Sequence, residues 1–141
     1  MTVVLFKNLE STMRKSVLAI SLLVTGSVFA AEPSVAFTVP QNGATVTSPF
    51  SVGFSVSGMY IKPAGDMTPN TGHHHLLINS GLVTKGVAIP MDTMHLHYSQ
   101  GQTNGSLTLP PGKYQLTLQF GDGAHRSYGP AMSNTIQITV K

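Results

Sequence analysis

Hydrophobic and polar residues alternate with a period of two along most of the chain after residue 31. Val35, Phe37 and Val39 alternate with small polar residues, and the pattern recurs in 52–56 and in 113–120. Successive side chains of a β-strand point to opposite faces, so this pattern predicts half-buried strands. No stripe of helical spacing interrupts it.

Glycine, proline and asparagine separate the alternating segments at intervals of about eight to twelve residues, as in a small sandwich. We predict about seven short strands, at 35–39, 52–56, 73–79, 93–99, 106–109, 113–120 and 136–140. We predict the longest loops at 58–72, 81–92 and 121–133. The spacing predicts an all-β fold, an immunoglobulin-like two-sheet β-sandwich.

The N-terminal segment has the order of a secretory signal peptide. Met13-Arg14-Lys15 is basic, 16–29 is apolar, and Val28-Phe29-Ala30 places small residues at the −3 and −1 positions of a cleavage site. We therefore predict a signal peptide over 1–30, with translation starting at Met13, and a single domain over 31–141 that is periplasmic or secreted. The apolar run falls short of the roughly 20 residues that span a bilayer, so no transmembrane segment is expected in the mature chain.

Composition excludes several functional classes. Charged residues after residue 31 nearly balance, which does not fit a nucleic-acid partner. The chain contains no cysteine, which excludes thiol catalysis and thiolate metal sites. No motif indicates an organic cofactor, and the sequence alone places no base beside a serine, so no catalytic residue is assigned.

The six histidines of the chain are its main candidates for chemistry. By strand parity, His73 and His75 point away from the apolar face that Leu76 and Ile78 form. His95 and His97 likewise oppose Met94, Leu96 and Tyr98. If the two strands pair, four imidazoles lie on one outer face, with neighbours about 5–7 Å apart.

Imidazoles at such distances can share a metal ion, and neutral imidazole suits copper, zinc, nickel and iron. We predict that the ligands are His73, His75, His95 and His97, with His125 brought near by the 121–133 loop. Possible auxiliary ligands are Asp122, Met94 and His74. Each also has a structural interpretation: Asp122 as a turn residue, Met94 as a core residue and His74 as a buried, hydrogen-bonded histidine. Leu77 shares the face of His73 and His75, which indicates partial cover, with the 58–72 loop as the expected cover.

The chain resembles the family of secreted bacterial domains of unknown function 4399 over roughly 33–141. The resemblance rests on Gly72-His73-His74-His75-Leu76-Leu77-Ile78-Asn79, His95-Leu96-His97-Tyr98, Gly101-Gln102-Thr103, Leu109-Pro110-Pro111-Gly112-Lys113 and Gly121-Asp122-Gly123-Ala124-His125. It implies no established activity. A looser likeness is to small periplasmic copper carriers, which are immunoglobulin-like sandwiches with histidine and acidic ligands. That likeness favours copper over zinc.

These observations lead to three functional hypotheses. The first is a non-enzymatic exported domain that binds a transition metal, copper ahead of zinc, through its histidine face. The second is a structural or adhesion-type module whose histidines brace the loops while a periplasmic protein or cell-envelope component docks elsewhere. The third is a small metal-dependent enzyme, for which three histidines with an open coordination position would suffice.

Overall fold

A computed structural model describes residues 26–141, and within that range the chain is almost entirely β-structure. The strands are β1 (Ser34–Val39), β2 (Thr45–Val46), β3 (Phe50–Ser57), β4 (Tyr60–Ile61), β5 (Thr71–Ile78), β6 (His95–His97), β7 (Asn104–Leu107), β8 (Gly112–Gly121) and β9 (Ser133–Val140). A single 3-10 turn, Pro130–Met132, precedes β9. All seven predicted strands are present, and the two-residue strands β2 and β4 are additional.

Two sheets make up the domain. The smaller has the order β1-β3-β7, and the larger has the order β2-β9-β8-β5-β4, with β6 also paired to β5. Neighbouring strands are antiparallel except for β2 with β9 and β4 with β5. The predicted all-β sandwich is therefore confirmed.

The predicted signal peptide lies mostly outside the described residues, because 1–25 are not among them. Within 26–141, no helix is long and apolar enough to cross a membrane.

Apolar side chains from the two sheets form the core between them. Val52 and Phe54 of the smaller sheet join Leu76, Leu116 and Leu118 of the larger one, each at most 4% exposed. The alternation that predicted the strands also predicted their inward faces, because burial of apolar area is the dominant favourable term in folding.

The opposite face of β5 is buried as well, and more completely than the partial cover predicted from Leu77. His73, His75 and Leu77 are all 0% exposed. The 58–72 loop, which was the predicted cover, lies only at the edge of this face, where Gly65 N donates to Gly123 O at 2.8 Å.

The main cover is the segment between β5 and β6. Val83 N donates to Gln119 Oε1 of β8 at 3.3 Å, and Ser127 Oγ donates to Val83 O at 2.7 Å. Ile89, only 4% exposed, is anchored where its N–H donates to His125 O at 2.8 Å. The histidine face, meaning the face that carries His73, His75 and His97, is thus a sheltered layer beneath two loops.

Candidate metal centre

Three histidines of the site are positioned by the sheet itself. His73 and His75 lie two residues apart on β5, so both rings project from the same face. His97 of β6 is the direct antiparallel partner of His75. Backbone pairing therefore sets the positions of these three residues and the face of the sheet from which their rings project.

The fourth histidine, His125, comes from the turn after β8. Asp122 Oδ1 accepts hydrogen bonds from the backbone N–H groups of Ala124 and Arg126, each at 2.9 Å, and His125 N donates to Asp122 O at 2.8 Å. His125 has a φ of 60°, in the left-handed region that few residues other than glycine adopt. This tight turn directs the imidazole back over the sheet.

The ring nitrogens of these four residues converge. His125 Nδ1 lies 3.0 Å from His73 Nε2, 3.3 Å from His75 Nε2 and 3.1 Å from His97 Nδ1. One nitrogen from each ring lies within 4.8 Å of every other. Four nitrogens placed tetrahedrally at 2.0–2.1 Å from a metal would be about 3.3 Å apart. The four-histidine cluster, His73, His75, His97 and His125, therefore has the dimensions of a metal site.

Hydrogen bonding alone does not satisfy this arrangement. His97 Nε2 lies 2.7 Å from Pro90 O, and because a carbonyl only accepts, Nε2 carries the hydrogen and Nδ1 of His97 is a bare lone pair. His125 Nδ1 offers one hydrogen or one lone pair to three nitrogen neighbours. At most one of its three contacts is then a good hydrogen bond, whereas a central cation would accept all four lone pairs.

The bond from His97 to Pro90 is also the kind of support that metal-bound histidines have. A ligating histidine commonly donates its second ring N–H to a carbonyl or carboxylate, which fixes the tautomer and the ring orientation. The Nδ1 atoms of His73 and His75 are buried without such a partner.

Burial lowers the pKa of three of the four clustered imidazoles, which favours their neutral form. It lowers the pKa of His73 to about 4, with the charges of His125 and His97 contributing further. Burial and the neighbouring rings of His73, His97 and His125 lower the pKa of His75 to about 2. The pKa of His125 is lowered too, chiefly by burial. A metal binds neutral imidazole, so these rings are ready to ligate near neutral pH.

His95, a predicted ligand, does not belong to the cluster. Its Nδ1 lies 2.8 Å from Asp92 Oδ1 and its Nε2 lies 3.2 Å from Ser80 Oγ. Parity correctly placed His95 on the face of His97. However, His95 pairs with Leu77, whereas His97 pairs with His75, so His95 lies two residues further along β5 from His73. Both ring nitrogens of His95 also have other partners.

The three predicted auxiliary ligands also lie outside the cluster. Asp122 forms the turn described above and an ion pair with Arg126 at 2.9 Å. Met94 is 38% exposed, so the alternative expectation of a core residue is wrong as well. His74 is buried in the core as expected, with its ring centroid 5.3 Å from that of Phe54 and 5.1 Å from that of Phe120. The expected hydrogen bond is wrong, because neither ring nitrogen has a partner among the described residues.

Sequence reasoning missed two contributors to the site. Pro90, whose carbonyl orients His97, was assigned only to a loop. Gly121 lies under His75: a Cβ added there would be 2.7 Å from His75 Cε1. A glycine at the end of a strongly alternating strand was the available signal for such a close approach.

The comparisons with known proteins give a family and a fold. The family described as "Domain of unknown function (DUF4399)" matches residues 52–141, a range that includes all four clustered histidines. No curated protein matches the chain in sequence.

One solved structure that matches is titled "X-ray structure of the endo-beta-1,4-mannanase from Thermotoga petrophila". It is 13% identical, with a TM-score of 0.51, over 81% of this chain and 21% of the mannanase chain. This chain therefore spans about a fifth of the mannanase, and at this identity the likeness shows the fold alone.

Proposed function

We propose that this chain, which belongs to the DUF4399 family, binds one transition-metal ion through the four-histidine cluster. The observation that carries the proposal is the approach of three ring nitrogens to within 3.0–3.3 Å of His125 Nδ1. Hydrogen bonds account for at most one of these contacts, whereas a shared cation would account for all three.

We propose copper ahead of zinc as the metal. The donor set is all imidazole nitrogen, which both metals accept. At a nitrogen site of given geometry, Cu(II) binds more tightly than Zn(II) in the general order of divalent affinities. The chain lacks cysteine, so no thiolate shifts this preference.

We propose that the centre holds the metal and does not activate water. Catalytic zinc sites typically have three protein ligands and an open fourth position. Here four rings converge, and loops bury two of them completely. This favours a storage or transfer role over metal-dependent hydrolysis or oxygenation.

We further propose that the domain works outside the cytoplasm, as a periplasmic or secreted protein. The order of basic, apolar and small residues before Ala31 supports this. Intact-mass analysis of the exported protein tests it. A mass that starts at Ala31 is expected, and one that retains Met13 to Ala30 would contradict cleavage.

Calorimetric titration of Cu(II) and Zn(II) into the metal-free protein, prepared without a histidine tag, tests metal binding. One equivalent is expected, with Cu(II) tighter. His97→Ala should weaken binding at least tenfold, whereas His95→Ala, two residues away on the same face, should leave it within about twofold.

The loop-bracing alternative makes a different prediction for the same variants. The His97 bond to Pro90 favours it, since that bond ties the covering loop to β6. If His97→Ala lowers stability while the wild type binds no metal, the histidines are structural and the metal proposal is wrong.

A further inference from the structure

A second group of reactive side chains lies beside the metal centre and shares no ligand with it. His95 Nδ1 is 2.8 Å from Asp92 Oδ1, and His95 Nε2 is 3.2 Å from Ser80 Oγ. A carboxylate only accepts, so His95 carries its hydrogen on Nδ1 and donates it to Asp92. His95 Nε2 is then a lone pair facing the hydroxyl of Ser80.

This is the connectivity of a serine nucleophile, a histidine base and a carboxylate that orients the base. Such triads occur on unrelated folds and are recognised by geometry, not by chain order. Here the chain order is serine, aspartate, histidine. The tautomer that Asp92 imposes on His95 is the one that can accept the serine proton.

The backbone fixes each member of the group. Ser80 follows Asn79, whose φ is 50° and whose backbone N–H donates to Gln115 O at 2.8 Å. Gln115 N in turn donates to Asn79 Oδ1 at 2.9 Å, so the turn that presents Ser80 is anchored on β8.

Asp92 and His95 are held by their own short turn. Asp92 Oδ1 also accepts from Met94 N at 2.8 Å, and His95 N donates to Asp92 O at 3.2 Å. These two contacts and the bond between His95 Nδ1 and Asp92 Oδ1 position the carboxylate and the imidazole within a segment of four residues.

The serine is partly accessible to solvent. Ser80 is half-buried, and a Cβ added at the next residue, Gly81, would meet no atom within 4 Å outside its chain neighbours. The side chain of His95 is 14% exposed, whereas that of Asp92 is 51% exposed. Ser80 Oγ has one other acceptor, Gly81 O, at the longer distance of 3.4 Å.

We infer that Ser80, His95 and Asp92 form a nucleophilic site that cleaves activated carboxylic esters. Ser80 Oγ attacks the acyl carbon while its proton passes to His95 Nε2, and the ester C–O bond breaks as the leaving alcohol takes that proton. Water then attacks the acyl-serine and gives a proton to His95 Nε2; the C–O bond to Ser80 breaks, that proton passes from His95 to Ser80 Oγ, and the carboxylic acid leaves. Activated aryl esters fit best, because their good leaving groups require less stabilisation of the oxyanion.

Covalent labelling of the full chain tests this site. A fluorophosphonate probe should form one Ser80–phosphorus bond with loss of fluoride, detected by intact mass and located by peptide mapping. An aryl acetate should likewise give an acetyl group on Ser80. The reactions are run with and without a metal chelator, and the chelator should leave the rate unchanged.

Variants distinguish the triad from chance reactivity. Ser80→Ala should abolish labelling, and Asp92→Asn should slow it by about tenfold or more, since it removes the group that sets the tautomer of His95. The matched control is Asp66→Asn, a turn carboxylate that binds Thr68 N and no histidine, and it should label at the wild-type rate.

Three results would overturn the inference: no adduct, an adduct on another residue such as His95 itself, or equal labelling rates for Asp92→Asn and the wild type. None of these would affect the metal proposal, because His95 is not one of its ligands.

Discussion

His75 of β5 and His97 of β6 lie directly opposite each other in the antiparallel pair, with their ring centroids 4.5 Å apart and their planes at 79°. A slip of one residue in this pairing would send one of the two rings to the other face of the sheet. The pairing of Leu76 with Leu96 puts an apolar pair on the core side, so burial of those side chains holds the register and thereby the positions of the two imidazoles.

Gly121→Ala should weaken metal binding although Gly121 is not a ligand. The added methyl group would lie 2.7 Å from His75 Cε1 and push the ring out of the cluster. We expect a loss of affinity of at least tenfold for Cu(II), measured by competition with a chelator. Gly81→Ala is the matched control, because its methyl group meets no atom within 4 Å. Equal affinities of the two variants would show that close packing against His75 does not position the ligand.

Metal should stabilise the folded protein by mass action. A ligand that binds only the native state at 100 times its Kd adds about 2.7 kcal/mol to the free energy of unfolding. Urea unfolding without Cu(II) and with two equivalents of Cu(II), so that one equivalent remains free, measures the difference. In His125→Ala the gain should shrink, since one of four ring nitrogens is lost. A metal-independent unfolding curve for the wild type would contradict binding to the native state.

The strands and the shared face of His73, His75 and His97 were predictable because the underlying rule is local. A period of two assigns His73 and His75 to one face and Leu76 and Ile78 to the other, and the structure has them so.

Leu77 predicted that the site has a cover, but the segment that provides most of it was not predictable, because it depends on contacts between residues far apart in the chain. Ile89 is buried only where its loop meets His125, and Gln119 is buried by the loop that contains Val83. The position of the His95 ring outside the cluster likewise could not be predicted. Its nitrogens contact Ser80 and Asp92, two loop residues whose placement no alternation pattern specifies.

The metal-free protein should lose stability as the pH falls below about 6.5. In the unfolded chain the histidines titrate near 6.5, whereas burial lowers the folded-state pKa of His73 and His74 to about 4 and that of His75 to about 2. The unfolded state therefore binds more protons between these values. This stability is fully present above 6.5 and is lost progressively as the pH falls toward the folded-state pKa values. Each ring can contribute a slope of up to about 1.4 kcal/mol per pH unit. Urea unfolding at pH 7.5 and pH 5 checks this, and equal stability at the two pH values would contradict it.

Leu116→Ala should destabilise the domain by about 2–5 kcal/mol, the usual range for truncating a buried leucine. Leu116 is 0% exposed and pairs with Ile78 on one side and Ile136 on the other. Gln115→Ala, its neighbour on the opposite face, should cost less than about 1 kcal/mol, since it loses one exposed side-chain bond to Gln137. Chemical denaturation measures both, and similar costs would contradict the assignment of faces.

His74 differs from the four clustered histidines because its ring faces the core. Its ring is 0% exposed between Phe54 and Phe120, and neither ring nitrogen has a hydrogen-bond partner among the described residues. A buried polar group without a partner costs about 1–3 kcal/mol, so an apolar residue of similar size should remove that cost. We expect His74→Leu to match or exceed the wild-type free energy of unfolding and His74→Ala to lower it by leaving a cavity. Cu(II) affinity should stay within about twofold in His74→Leu, since the ring faces away from the cluster. Loss of metal binding in His74→Leu, with the fold retained by circular dichroism, would mean that this ring contributes to the site.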